Sequence, residues 1–147
     1  MNFIKSILLV TLIGIFSLSS CKKKDDKIKN EMTDNIQSGS WRVTNFIDSG
    51  NDETNNFSGF NFTFNSSGQV TAINGSTTHT GTWSISDSNS NDDSMDDLHF
   101  NLFFNLTNNF EDLNDDWDIN SQSENKIELI DVSGGNGGTD YLTFEKN

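Results

Sequence analysis

Two histidines are the side chains of this sequence best suited to acid–base chemistry, and neither sits in a catalytic motif. The sequence contains no Gly-x-Ser-x-Gly turn for a nucleophilic serine and no His-Glu-x-x-His pair for zinc around His79 or His99. His99 lies between Leu98 and Phe100 in an alternating segment, which predicts an outward-facing strand histidine. Carboxylates are so frequent in the loops that no single pair stands out as an acid–base couple. We therefore expect a protein that is not an enzyme.

The acidic loops are the next candidates for chemistry, because carboxylate oxygens are the ligands that calcium prefers. Asp87-x-Asn89-x-Asn91 begins like an EF-hand loop, but Asp92 replaces the glycine of position six and Leu98 replaces the glutamate of position twelve. The pattern therefore defines no metal site, and we expect no cofactor. Weak calcium binding stays open for a group of four carboxylates, Asp92, Asp93, Asp96 and Asp97.

The charge of the chain is strongly negative and unevenly distributed. The 147 residues carry 22 acidic and 9 basic side chains, a formal charge of −13. From Ser38 onward three basic residues face 18 acidic ones, a charge of −15 for that part alone. A surface of this sign repels phosphate backbones, so we exclude nucleic acid as a partner. The acidity itself favours solubility.

Residues 1–20 have the composition of an export signal and are left out of the fold. Lys5 precedes an apolar run, Ile7 to Phe16, that is far shorter than the roughly 20 residues of a membrane-spanning helix. The run ends in Leu18-Ser19-Ser20-Cys21, which resembles the lipobox of bacterial lipoproteins. The resemblance implies cleavage before Cys21, lipid on its thiol, and attachment to the membrane through that lipid.

The residues after the cysteine bear on location. Lys22 is not the aspartate that retains enterobacterial lipoproteins at the inner membrane, and Lys24-Asp25-Asp26 resembles the export signal of Bacteroidetes surface lipoproteins. The resemblance implies an outer-membrane protein exposed at the cell surface. Residues 21–37 are polar, and we interpret them as the lipidated cysteine followed by a linker.

Residues 38–147 show the period-two alternation of β-strands with one buried face. The clearest runs are Phe60 to Phe64 and Leu98 to Phe104, and shorter ones follow the same rule. Turn residues such as Asn65-Ser66-Ser67-Gly68 separate them. About eight short strands predict one all-β domain, either a small antiparallel up-and-down barrel or a sandwich, because both use this alternation. A turn of helix is expected near Phe110 to Leu113.

The layout resembles the lipocalin-like lipoproteins of Bacteroidetes. Gly39-Ser40-Trp41 stands at the head of the first strand, as the Gly-x-Trp motif does in lipocalins, where the tryptophan closes the barrel floor. The late arginine that packs on that tryptophan is missing, and only Lys146 could replace it. Thr139-Asp140-Tyr141 matches a lipocalin triplet in letters but not in position. The resemblance implies an up-and-down barrel with space for a small ligand.

Nine aromatic side chains are expected to face the interior and to line any cavity. An eight-stranded barrel is just wide enough to be filled by side chains or to hold one small ligand, and both outcomes stay open. The candidate lining residues are Trp41, Phe60, Phe62, Phe64, Trp83, Phe100, Phe104, Trp117 and Phe144.

Two functions follow from these alternatives. A hollow barrel would bind a small apolar or amphipathic compound near the cell surface. A solid barrel would be an interaction or structural module that contacts a protein, a glycan or calcium through its acidic loops. Asp93-Ser94-Met95 also resembles a Bacteroidetes O-glycosylation motif, which makes Ser94 a candidate for modification. The sequence does not fix the oligomeric state.

Overall fold

The protein folds into a closed antiparallel β-barrel with one helix before it, as seen in a computed structural model. The structure describes residues 22–88, 97–132 and 138–147, with side chains from residue 27. Cys21, Ser94 and the carboxylates Asp92, Asp93 and Asp96 lie outside the described residues, as does the export signal.

The chain order is simple, because each strand of the barrel pairs with the next one along the sequence. The strands are β1 Trp41–Asp48, β2 Asn51–Asp52, β3 Asn61–Phe64, β4 Gln69–Asn74, β5 Thr77–Asp87, β6 Leu98–Phe103, β7 Asp115–Gln122, β8 Lys126–Asp131 and β9 Asp140–Lys146. Strand β1 pairs with β3, each later strand pairs with its successor, and β9 returns to pair with β1. The two-residue strand β2 extends the edge of β1.

The pairing of β1 with β9 distinguishes a barrel from a sandwich. Trp41 lies opposite Lys146 and Ile47 lies opposite Tyr141, so the first and last strands run side by side over the length of β9. The prediction of an eight-stranded up-and-down barrel is confirmed. Closure removes the unpaired strand edges on which other chains could add.

The barrel has two ends, which we define by the residues that mark them. The helix end is where β1 and β8 begin and β9 finishes, at Trp41, Lys126 and Lys146. The distal end is where β1 finishes and β9 begins, at Asp48 and Asp140. Short connections at both ends keep neighbouring strands antiparallel.

Helix α1 covers Lys22–Gln37, and this corrects the expectation of an irregular linker over those residues. Met32 is 1% exposed, Ile36 is fully buried, and Ile28 packs against the same core. These three apolar residues recur every four positions, so they fall on one face of a helix and bury against the barrel. The remaining residues are polar, which is why the composition indicated a linker. None of the described helices is long and apolar enough to cross a bilayer.

The distal end is closed by side chains from two short 3₁₀ turns, Thr54–Phe57 and Glu111–Leu113. Phe57 and Leu113 are buried, and Phe57 meets Phe46 and Phe110 edge-on with centroids 5.4 Å apart in both pairs. The second turn confirms the helical turn expected after Phe110. Apolar side chains therefore cap the barrel at this end, as α1 does at the other.

Candidate functional site

The predicted lining residues form the core of the barrel, and eight of the nine are buried. Phe64 meets Trp83, Phe100 and Phe144 edge-on at centroid distances of 5.5–5.7 Å. Phe62 meets Phe144 in the same way at 5.3 Å. Rings at these distances are in direct contact, so the space between the strands is occupied by the protein's own side chains.

Phe60 is the exception, because it is only partly buried and precedes β3. Its ring stacks on the imidazole of His79 at 5.7 Å and meets Phe110 edge-on at 5.0 Å. His79 also lies 4.5 Å from the Phe110 ring. His79 thus packs among aromatic rings at the edge of the core.

Trp41 joins the barrel to α1. Its indole Nε1 donates a buried hydrogen bond to the carbonyl oxygen of Ile36 at 2.8 Å. Nζ of Lys146 lies over the ring, 5.2 Å from the centroid, which is the place expected for a substitute of the missing arginine. Gly39 has a φ of +104°, and a Cβ there would stand 3.3 Å from Cε of Lys146. Glycine therefore serves both the backbone conformation and the close approach of the lysine.

The concave surface of interest lies on the outside of the barrel. We call it the outer groove: a depression of about 630 Å³ over strands β5, β6 and the start of β7, bounded on one side by the β3–β4 turn. Its residues are Ser67, Gly68, Thr82, Trp83, Ser84, Asn101, Leu102, Phe103, Asn114, Asp115 and Asp116.

Phe103 is the apolar feature of the outer groove. It is 54% exposed, because on β6 the side chains of Leu98, Phe100 and Leu102 take the inward positions and leave Phe103 outward. An exposed phenylalanine within a polar depression offers a flat face for stacking. A large apolar side chain that is exposed within a concave surface indicates a binding site. We therefore take Phe103 as the centre of the candidate site.

Asparagine side chains shape the groove around that ring. Nδ2 of Asn101 donates to Oγ of Ser86 at 2.9 Å, which leaves its carbonyl oxygen as the group that it can offer to a ligand. Asn114 makes two hydrogen bonds to the backbone of Phe104, accepting from its N–H and donating to its carbonyl oxygen. These bonds fix the β6–β7 connection at the rim of the groove.

Carboxylates give the rim a negative charge. Partial burial raises the pKa of Asp115 to about 6, and the nearby charges of Asp131 and Asp116 act in the same direction. Asp116 is the second carboxylate of the rim. A rim of this kind favours neutral or cationic ligands over anions.

Asp115 gives a prediction about pH. Because its folded-state pKa lies above the ordinary value for aspartate, the folded protein binds the proton more tightly, and stability should rise as pH falls from 7.5 to 5. We expect Asp115→Asn to raise the free energy of unfolding at pH 7.5 by roughly 1 kcal/mol, a figure discounted for the partial exposure of the carboxylate. Urea denaturation at both pH values measures this.

The matched control is Glu124→Gln, which removes an exposed carboxylate in the turn after β7. Wild type should gain stability on acidification, Asp115→Asn should lose that part of the gain, and Glu124→Gln should keep it. A pH dependence that survives unchanged in Asp115→Asn would contradict the assignment.

His99 and Asp118 face each other across β6 and β7, with Nδ1 and Oδ1 3.0 Å apart. Nδ1 of His99 has no hydrogen-bond partner in this arrangement, and the contact is an ion pair only when the imidazole is protonated. The outward position of His99 is as predicted. Among the described residues no group of three or more histidine, cysteine or carboxylate side chains is placed to hold a metal ion.

Sequence reasoning missed the outer groove and the helix contacts. Phe103 was visible as an apolar residue at an outward position of an alternating strand, which is the signal that could have indicated an external site. The loop carboxylates from Asp92 to Asp96, considered for calcium, lie outside the described residues.

Comparison with known proteins adds a likeness to a solved structure. No model of a protein family matches the sequence, and no curated protein is similar to it. The chain is similar in structure to a DUF4847 family protein from Bacteroides vulgatus ATCC 8482, with a TM-score of 0.48 and 20% sequence identity, over 76% of this chain and 94% of that one. At that level of similarity the likeness carries no argument about function.

Proposed function

We propose that this chain is a lipid-anchored recognition module of the outer membrane, a lipocalin-like barrel with a filled interior that binds its ligand on the outer groove. The observation that carries the proposal is the contrast between the two faces of β6: Phe64, Phe100 and Phe144 pack against one another inside, whereas Phe103 is exposed outside. Of the two functions considered from the sequence, this is the solid-core alternative.

Three sequence features support the anchoring and location. Leu18-Ser19-Ser20-Cys21 has the residue types of a lipobox, and the lysines after it suit a position next to a bilayer. Lys24-Asp25-Asp26 supports export to the surface. The placement of Lys146 over Trp41, next to Gly39, supports the lipocalin-like relationship.

A small ligand inside the barrel is disfavoured by packing. A compound would have to displace rings that are already in contact, and each such side chain contributes about 1.5–3 kcal/mol of burial energy. Most of those rings are under 4% exposed, so displacing them would lose nearly all of that burial energy.

The chemistry of the outer groove fits a polyhydroxylated ligand, such as a glycan. Phe103 can stack on the apolar face of a sugar ring, and Ser84, Asn101 and Asp116 can hydrogen-bond its hydroxyls. The groove contains no basic residue, which argues against anionic ligands. The solid-core alternative placed such a contact on the acidic loops, whereas the groove places it mainly on strands β5 and β6.

The test is a screen of the mature chain, with Cys21→Ala to prevent lipidation, on an array of neutral oligosaccharides, followed by calorimetry with the strongest glycan. We expect Phe103→Ala to weaken that binding about tenfold, which is about 1.4 kcal/mol and within reach of one lost aromatic stack. The matched control is Tyr141→Ala, since Tyr141 is an outward strand aromatic of similar exposure, 44%, away from the groove. Equal binding by wild type and Phe103→Ala, or no glycan bound at all, would contradict the proposal.

A further inference from the structure

We propose that the ligand of the outer groove is an unbranched, extended, neutral oligosaccharide that lies lengthwise along β6. One sugar unit stacks on Phe103, and the following units contact the polar side chains between Phe103 and His99 on the outer face of that strand. This inference rests on the proposed function and deepens it, because it adds the shape and length of the glycan and a contact region beyond the groove.

The outer face of β6 continues past the groove in three rows. Phe103, Asn101 and His99 occupy alternate positions of the strand, and the residues between them, Leu102 and Phe100, are buried. Consecutive outward residues of a strand stand about 7 Å apart, so His99 lies roughly 14 Å from Phe103 along β6. That distance exceeds the length of one sugar ring, so a ligand that reaches both residues contains several units.

The neighbouring strands supply short polar side chains on both sides of β6. Those on β5 lie opposite Phe103, Asn101 and His99 in turn, and those on β7 lie opposite Asn101 and His99. Because they are short, they leave the strand accessible to a flat ligand over this length. We call the surface the polar strip; besides the three β6 residues it comprises Thr82, Ser84, Ser86, Asp116 and Asp118.

The row around His99 carries groups that can bind hydroxyls. Nδ1 of His99 faces Oδ1 of Asp118 at 3.0 Å, so Nε2 is the ring nitrogen that it can present to a ligand. The side chain of Asp118 is 46% exposed, and its carboxylate can accept hydrogen bonds from a sugar. Oγ of Ser86 accepts from Asn101 at 2.9 Å and keeps its own proton to donate. This row therefore offers donors and acceptors to a further sugar unit.

The charge of the polar strip fits a neutral ligand. The sequence has no lysine or arginine between Arg42 and Lys126, so β5, β6 and β7 contain none. The carboxylates of Asp116 and Asp118 would repel anionic sugars. An extended chain suits the strip because its three rows follow one unbroken strand, whereas a chain that curls, such as α-1,4-linked glucose, would leave the surface before it reached the last row.

The test compares cellobiose, cellotetraose and cellohexaose, a neutral β-1,4-linked series, by calorimetry with the mature chain carrying Cys21→Ala. We expect cellotetraose to bind about tenfold more tightly than cellobiose. Cellohexaose should gain less than about twofold more, because the six residues of β6 span only about 20 Å. Maltotetraose has the same composition in a curved chain, and it should bind about tenfold more weakly than cellotetraose.

Substitutions of His99 test the last row by itself. His99→Ala should weaken the binding of cellotetraose about fivefold, the effect of about one hydrogen bond, and leave that of cellobiose unchanged. His99→Gln keeps a donor and an acceptor and should restore most of the affinity. The matched control is Asn45→Ala on β1, which stands four strands from β6 in either direction around the barrel. It should bind every member of the series as wild type does.

The outcomes separate this inference from the proposed function. Affinities that do not depend on chain length, equal binding of cellotetraose by wild type and His99→Ala, or maltotetraose bound as tightly as cellotetraose would overturn the lengthwise placement and leave the groove as a binding site. Binding of other neutral glycans but of no member of the cellobiose series would overturn it as well. If no neutral glycan binds, or if Phe103→Ala binds them all as wild type does, the proposed function itself fails.

Discussion

Replacing Trp41 by alanine is expected to lower the free energy of unfolding by about 4 kcal/mol, the largest effect of any single change considered for this protein. Trp41 is fully buried, so the substitution removes a large apolar surface and leaves a cavity next to α1. It also removes the indole N–H that satisfies the buried carbonyl of Ile36. Urea denaturation followed by far-ultraviolet circular dichroism measures the loss.

Two further variants divide that effect into its parts. Trp41→Phe keeps much of the apolar volume but leaves the Ile36 carbonyl without its donor, and we expect a loss of roughly 1–2 kcal/mol. Lys146→Met keeps the aliphatic stem over the ring and removes the charge, which should cost about 1 kcal/mol or less. If Trp41→Ala cost no more than Trp41→Phe, Trp41 would not be the packing element that the structure indicates.

Replacing Ile36 by alanine is expected to lower the free energy of unfolding by about 3 kcal/mol. Ile36 is fully buried in the barrel core although it belongs to a helix of polar composition. The substitution leaves a cavity at the helix end and weakens the last turn of α1, where the Ile36 carbonyl accepts the hydrogen bond from Trp41. Chemical denaturation of the mature chain gives the magnitude.

The control is Ile28→Ala on the same face of α1. Ile28 is only partly buried, so its loss should cost about 1 kcal/mol. If residues 22–37 were a linker independent of the barrel, neither substitution would change stability. Unchanged stability in Ile36→Ala would therefore contradict the docking of α1.

The strands were predictable because their signal is local. Phe60 to Phe64 and Leu98 to Phe104 alternate within a few residues, and the structure places strands at β3 and β6 in agreement. Closure was not predictable in the same way, since the pairing of Trp41 with Lys146 joins the two ends of the domain. Alternation is the same in a sandwich and in a barrel, so only the pairing decides between them.

Helix α1 was missed for a compositional reason. Its apolar residues, Ile28, Met32 and Ile36, are three among many charged ones, and a single narrow stripe gives a weak helical signal. Most of the stability of such a helix comes from the surface on which it packs, which the sequence of the helix does not contain. The spacing of four between these residues is nevertheless the signal in the sequence that indicates the helix.

The candidate site was also predictable only where its signal is local. The inward positions of Phe62, Phe64 and Phe100 follow from alternation, and the structure buries all three. Whether they line a void or fill it depends on how rings from distant strands fit together, which no local pattern encodes. The outer groove likewise combines a turn near Ser67 with Asn114 from another loop, so its shape arises only in the folded barrel.

The central claim is that the interior is filled and that recognition takes place outside. The most direct test is an NMR titration of the mature chain, with Cys21→Ala, using benzene and a medium-chain fatty acid as apolar probes. We predict no saturable shift changes at the inward residues of wild type, whereas Phe100→Ala should bind benzene in the cavity that it opens, which shows that the assay detects interior space. A saturable one-to-one complex in wild type, with shifts centred on Phe64 and Phe100, would contradict the claim.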